Sequence, residues 1–244
     1  MTRSDLPRLI GHRGAAGLAP ENTMAAFRAA HAAGCRWVEF DCMLTRDGEI
    51  VVHHDDAIDR TTNGTGLMSD IDLAALKTLD AGAWFDPAFA GQRVPTLAEI
   101  VALLAELGMG ANVEIKPVTG HETETGIAVA RFLTASWPEN LPPPVVSSFS
   151  LAALDAARRE GPGLDIAILW EDVPGDWHDH HIRLKASAVH TDAARVSDAS
   201  IAAFRDADIP FRCYTVNDPD RASALFAKGC QSVFTDFPDR LAQV

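Results

Sequence analysis

The chain has 244 residues, of which 21 are basic and 34 acidic, giving a formal net charge of −13 at pH 7 with 47% hydrophobic residues. That length and balance suit one sizeable globular α/β domain and exclude a disordered or fibrous chain. The acid excess argues against nucleic acid and stable membrane association, since both need clustered Lys and Arg, and no apolar run reaches the length of a membrane span.

In chain order, the first strand is expected at 8–12, followed by a helix that begins near Thr23 and ends at Gly34. A second strand covers 37–44. Asp47-Gly48 is a hairpin turn signal, so 49–54 should fold back antiparallel beside it. Residues 55–94 are long and polar-rich, with Gly64, Gly66, Gly82 and Gly91, and read as an insertion capping one end of the domain. Thr96 with Glu99 forms a capping box ahead of a helix with Leu97, Ile100, Val101 and Leu104 on one face and a stop at Gly108. Further strands are expected at 111–116, 145–149, 166–170, 188–192, 211–216 and 232–236. Ser150 and Ser197 cap helices between them, and Asp218-Pro219 opens a helix that Gly229 closes. The run His178-Asp179-His180-His181 lacks a surrounding apolar pattern and reads as a solvated loop.

Eight strands alternating with helices over this length match a (β/α)₈ TIM barrel, an α/β fold, with a small inserted subdomain at 55–94 after the second strand. An open doubly wound sheet is the rival, because periodicity does not show closure. The N-terminal stretch has no apolar signal core, so the expected location is cytoplasmic. Cys35, Cys42, Cys213 and Cys230 are scattered without a CxxC spacing and are expected as reduced, buried thiols.

Side chains two apart in a strand share a face, so Glu39 and Asp41 point the same way while Val38, Phe40 and Cys42 point to the other. Burying two carboxylates side by side requires a compensating cation. Glu114 repeats the pattern on the next parallel strand, with Lys116 on its face. Three oxygen donors at one barrel mouth favour a single hard divalent cation, Mg²⁺ or Ca²⁺. His12 ends the first strand and His54 the hairpin; such a pair suits proton transfer near neutral pH, and Arg13 suits an anion such as phosphate. His53 and His54 face opposite sides, so only one can line the site. Phe149, Trp170 and Tyr214, at or near strand ends, line the pocket or pack the barrel rim. Asp236 either ties the barrel closed or orients substrate, and Glu21 and Asn22 start the first helix or touch the site.

These residues fall within segments that resemble the glycerophosphodiester phosphodiesterases, most closely the cytosolic bacterial form. The segments are Gly11-His12-Arg13-Gly14, Pro20-Glu21-Asn22-Thr23, Glu39-Phe40-Asp41, His54-Asp55 and Arg60-Thr61-Thr62-Asn63-Gly64. Later come Pro95-Thr96-Leu97, Glu114-Ile115-Lys116-Pro117, Tyr214-Thr215-Val216-Asn217 and Thr235-Asp236, in the family's order and over nearly the whole chain. The resemblance implies a TIM barrel that hydrolyses small-molecule glycerophosphodiesters to glycerol 3-phosphate and an alcohol. It assigns His12 and His54 as the acid/base pair, Glu39, Asp41 and Glu114 as divalent-metal ligands, Arg13 as a phosphate contact and Lys116 as its polar neighbour. Where the family motif carries Trp, this chain has Tyr214. A lyase that stops at a cyclic phosphate and a non-enzymatic barrel binding phospho-metabolites are the alternatives, and the oligomeric state is left open.

Overall fold

The structure is a computed structural model that describes residues 6–244. Its strands are β1 (Leu9–Gly11), β2 (Trp37–Leu44), β3 (Ile50–Val52), β4 (Gly110–Ile115), β5 (Val145–Ser148), β6 (Asp165–Trp170), β7 (Ala188–Asp192), β8 (Phe211–Tyr214) and β9 (Ser232–Thr235). Parallel pairing runs from β2 through β4 to β9, and β1 joins both ends, with Ile10 opposite Phe234 and Gly11 opposite Val38. The ring therefore closes into a barrel, which rules out the open sheet. As the Asp47-Gly48 turn requires, β3 runs antiparallel to β2, with Met43 opposite Val51.

Alternation along the strands sorts the side chains into two layers. Val38, Phe40, Cys42, Val113, Ile115, Val146, Ile166 and Ile168 join the cluster that packs against α1 (Met24–Ala32), α3 (Leu97–Leu107), α4 (Glu122–Ser136) and α5 (Leu151–Glu160). Each large side chain fully buried there is worth roughly 1.5–3 kcal/mol. Inside the barrel, Ile10, Trp37, Val145, Ala167, Ala188 and Phe234 form a separate apolar plug. A Cβ at Gly110 would lie 2.3 Å from the Trp37 indole, so the smallest residue sits where the largest ring enters.

The helix ends follow their local signals. Thr23 accepts from Ala26 N, Thr96 and Glu99 form the reciprocal capping box, and Ser150, Ser197 and Asp218 cap α5, α7 (Asp198–Asp206) and α8 (Pro219–Ala227). Gly108 ends α3 in the left-handed conformation at φ 66°. The histidine run departs from its expectation. It lies on α6 (Trp177–Leu184), anchored by buried Trp177 against Phe204 and by buried Leu184. Two apolar anchors seven residues apart suffice to seat this helix, a pattern too sparse to stand out in sequence.

Residues between β3 and α3 carry short 3₁₀ turns at Met68–Asp70 and Pro87–Phe89 and the one-turn α2 (Leu73–Leu76). Ile58, Met68, Leu76, Ala81 and Val94 gather there with Met43 and Val51 of the hairpin into a small apolar cluster of their own. All four cysteines are free and buried. Among the described residues, no helix is long and apolar enough to cross a membrane.

Candidate active site

The turn after β1 is compressed. A Cβ at Gly11 would meet the Gly14 carbonyl oxygen at 2.1 Å, and one at Gly14, where φ is +85°, would lie 2.7 Å from the Ala26 backbone of α1. Only glycine fits both positions. The turn carries His12 and Arg13 to the C-terminal mouth of the barrel and brings Arg13 N within 3.0 Å of Glu39 Oε2, to which it donates.

Same-face spacing on β2 and the parallel register of Asp41 with Glu114 then gather three carboxylates. Oxygens of Glu39, Asp41 and Glu114 all lie within 4.8 Å of one another, and all three residues are buried. Glu39 Oε1 and Glu114 Oε1 are buried without a hydrogen-bond partner. Burial, then the neighbouring Asp41 and Glu114 charges, drives the Glu39 carboxyl well above its usual range. Burial and Asp41 push Glu114 up to about 7. Burial also acts to raise Asp41, but the positive charge of Arg13, the nearby His54 imidazole, the positive charge of Lys116 and a 2.9 Å bond from Asn22 Nδ2 leave it below the usual range. Glu114 Oε1 lies 3.5 Å from Lys116 Nζ, and two carboxyls of raised proton affinity beside Asp41 form a buried all-oxygen donor set, which fits a hard divalent cation.

Two histidines flank this cluster, each backed by a carboxylate. His12 Nδ1 donates to Asp236 Oδ1 at 2.6 Å, while its Nε2 lies 3.9 Å from Glu39 Oε2. Asn217 Nδ2 donates to the other Asp236 oxygen at 2.7 Å, and Asn217 Oδ1 accepts from Asp236 N and Thr235 Oγ1. His54 Nδ1 donates to Asp55 Oδ1 at 2.6 Å, and its Nε2 accepts from Lys116 Nζ at 2.8 Å. That pattern is the neutral tautomer with its proton on Nδ1. Burial, followed by the positive charges of Arg13 and Lys116, accordingly holds the His54 pKa below its ordinary value. His53 faces the other way, with Nε2 3.4 Å from Ala57 O.

A cavity of about 720 Å³ is lined by His12, Arg13, Glu39, Asp41, His54, Glu114 and Lys116, together with the rings of Phe149 and Tyr214. The Phe149 and Tyr214 rings meet edge to face at 5.7 Å. Trp170 is the exception among the expected wall residues. Its neighbours Leu169 and Glu171 line the cavity, whereas Trp170 packs against the apolar clusters outside the barrel and tilts against His180. One step of strand parity turns it away. Its carbonyl oxygen still accepts from the Tyr214 hydroxyl at 2.9 Å. Arg13 lines the cavity, but its Nη1 already donates to Glu21 Oε1 at 2.7 Å and its Nε lies 3.5 Å from Asp41 Oδ2.

Several supporting residues had weak or ambiguous sequence signals. Thr23 caps α1, which leaves Glu21 and Asn22 in the preceding loop, bonded to Arg13 and Asp41. Asp236 stands behind His12 from a position 224 residues away. Asp55 and Arg60 stand behind His54. Their local cue was membership in the His54-Asp55 and Arg60-Thr61-Thr62 segments, without an indication of which atoms meet.

A sequence profile described as the glycerophosphoryl diester phosphodiesterase family matches residues 12–240. A glycerophosphodiester phosphodiesterase of Caldanaerobacter subterraneus is 33% identical, covering 96% of this chain and 95% of its own length. A phosphodiesterase of Oleispira antarctica, solved in complex with the product sn-glycerol-3-phosphate, is 36% identical and superposes with a TM-score of 0.94 over 97% of this chain and 96% of its own. A glycerophosphodiester phosphodiesterase of Agrobacterium tumefaciens is 26% identical, with a TM-score of 0.79 over 98% of this chain and all of its own. With a TIM barrel, a matching profile over most of its length and full-length relatives of this similarity, the chain belongs to the glycerophosphoryl diester phosphodiesterase family and is an enzyme of that class.

Proposed function

We propose that this enzyme hydrolyses small-molecule glycerophosphodiesters to glycerol 3-phosphate and an alcohol, with Glu39, Asp41 and Glu114 holding one divalent cation, Mg²⁺ or Ca²⁺. The observation that carries the reading is the buried carboxylate triad set between two carboxylate-backed imidazoles. When bound, the cation supplies positive charge to an anionic phosphodiester that the −13 net charge would otherwise repel.

The remaining chemistry falls to the side chains. With Nδ1–H donated to a carboxylate, each histidine presents Nε2 as the proton-transfer atom. One removes the proton of the free glycerol hydroxyl as that oxygen attacks phosphorus, and the other protonates the departing alkoxide. The cyclic phosphate so formed is opened by water with the two roles exchanged. Asp236 and Asp55 fix tautomer and ring orientation in the manner of the orienting carboxylate of a catalytic triad. Lys116 Nζ, at hydrogen-bond distance from His54 Nε2, is placed to follow the phosphoryl oxygens once that nitrogen takes up a proton. Phe149 and Tyr214 wall the part of the cavity where the alcohol sits. Residues 55–94 act as a small inserted subdomain, and the expected location is cytoplasmic.

The test is release of glycerol 3-phosphate from glycerophosphocholine, abolished by a chelator and restored by Mg²⁺ or Ca²⁺. Turnover unaffected by exhaustive chelation would sink the metal assignment. Phosphorus NMR of the product separates complete hydrolysis from a lyase, for which a cyclic ester would accumulate.

A further inference from the structure

The carboxylate behind His54 is joined to Arg13 by one guanidinium. Arg60, in the segment between β3 and α3, donates through Nη1 and Nη2 to the two oxygens of Glu21, each at 2.8 Å. Its Nε donates to Asp55 Oδ2 at 2.5 Å. The other Asp55 oxygen takes the His54 Nδ1 proton, and Glu21 Oε1 also accepts from Arg13 Nη1. The result is an unbroken path of charge-assisted hydrogen bonds, His54–Asp55–Arg60–Glu21–Arg13, with Arg13 in turn 3.5 Å from Asp41. Arg60, Asp55 and Glu21 are absent from the cavity lining, so none of the three touches the space in which substrate would sit.

Two physical points decide what this path does. The Arg60 side chain is 46% exposed, so its bare charge is screened by solvent and contributes little as an isolated ion pair. What solvent does not replace is geometry. A planar fork of donors fixes two carboxylates at a set separation and angle, whereas an ammonium supplies a point charge without that planarity. Asp55, gripped on one oxygen by Arg60, meets His54 with the other at a fixed angle, and the imidazole ring follows.

We infer that Arg60 is a positioning residue: by bridging Asp55 to Glu21 it sets the orientation and tautomer of His54 and the placement of Arg13 together. The segment inserted after the hairpin thereby belongs to the catalytic geometry. This inference rests on the roles proposed above for His54 and Arg13.

The test uses the full-length, metal-loaded enzyme acting on glycerophosphocholine, with Arg60→Lys, Arg60→Ala and, as a control, Arg93→Ala, whose guanidinium donates to Thr78 O in the same segment. Small misplacements of catalytic groups cost about 10²-fold in rate. Arg60→Ala is expected to lose about that much in kcat with KM far less changed, to shift the pH profile of kcat, and to regain part of its rate on addition of guanidinium ion. Arg60→Lys is expected to melt near the wild-type temperature and still lose kcat by about tenfold, because it lacks the fork. Arg93→Ala is expected to match wild type. Wild-type kcat in Arg60→Lys overturns the inference, as does an Arg60→Ala defect confined to melting temperature. A readout independent of turnover is the downfield proton resonance of His54 Nδ1 in the metal-free enzyme, identified by its loss in His54→Ala. Its movement in Arg60→Lys supports the bridge, and an unmoved resonance in both Arg60 variants refutes it. Failure of the wild-type enzyme to release glycerol 3-phosphate would instead count against the proposed function, and the resonance would still report on the bridge.

Discussion

The two sides of the cavity solve one problem with different materials. On the His12 side, the orienting Asp236 follows β9 and is held by Asn217, a neutral amide that is itself bonded to the Asp236 backbone and to Thr235. On the His54 side, the orienting Asp55 lies in a polar segment outside the barrel and is held by Arg60 through charge. The first arrangement draws its rigidity from closed sheet pairing, the second from an ionic lattice at a partly exposed edge. The geometry of His12 should therefore withstand salt better than that of His54.

The sharpest break in this comparison comes from removing the imidazoles themselves. His12→Ala and His54→Ala are each expected to lose about 10²–10⁴-fold in kcat while still binding Mg²⁺ or Ca²⁺ by calorimetry, since neither supplies a ligand. Near wild-type turnover in either variant would remove that histidine from the reaction. Next in size, Asp236→Asn keeps the shape but loses the charge behind His12 and is expected to cost about 10²-fold in kcat. That loss should be insensitive to added salt, whereas turnover of the wild type should carry a salt dependence that Arg60→Ala abolishes.

A third expectation concerns the carboxylates between the two sides and is read from stability. Glu114, pushed up to about 7, and Glu39, driven well above its usual range, are raised in the folded state. These two carboxyls then hold more protons in the folded protein than in the unfolded chain, so their contribution to metal-free stability falls as pH rises from about 4.5, the region of an ordinary Glu, through about 7. This is the reverse of the usual salt-bridged carboxylate. Melting temperatures in chelator should drop across that window, and Mg²⁺ or Ca²⁺ should flatten the profile at its upper end. Glu114→Gln should remove part of the slope; an unchanged slope would mean that the triad is not its source. The smallest expected effect lies on the aromatic wall. Tyr214→Phe removes one hydrogen bond to Trp170 O and should cost about 0.5–1.5 kcal/mol in denaturant melts.

The difference between the two sides also explains what could be read from the sequence. Strands and helix ends were legible because their signals are local: alternation in residues 37–44, the Thr96–Glu99 capping box, the Asp47-Gly48 turn. The carboxylate triad was legible because strand parity alone puts Glu39 beside Asp41 and parallel register adds Glu114. The backing groups were not, since Asp236 reaches His12 only after the barrel closes, and Arg60 reaches Glu21 only through a segment without regular periodicity. Trp170 shows how fragile parity is at a strand end, where one residue decides between cavity and helix layer. The α6 histidines carry no helical signal in the sequence because two anchors, Trp177 and Leu184, seat the whole helix.

The apolar plug of Ile10, Trp37, Val145, Ala167, Ala188 and Phe234, none more than 5% exposed, stoppers the barrel interior among the described residues, so the cavity at the C-terminal mouth is the face through which diester, water and products are expected to pass.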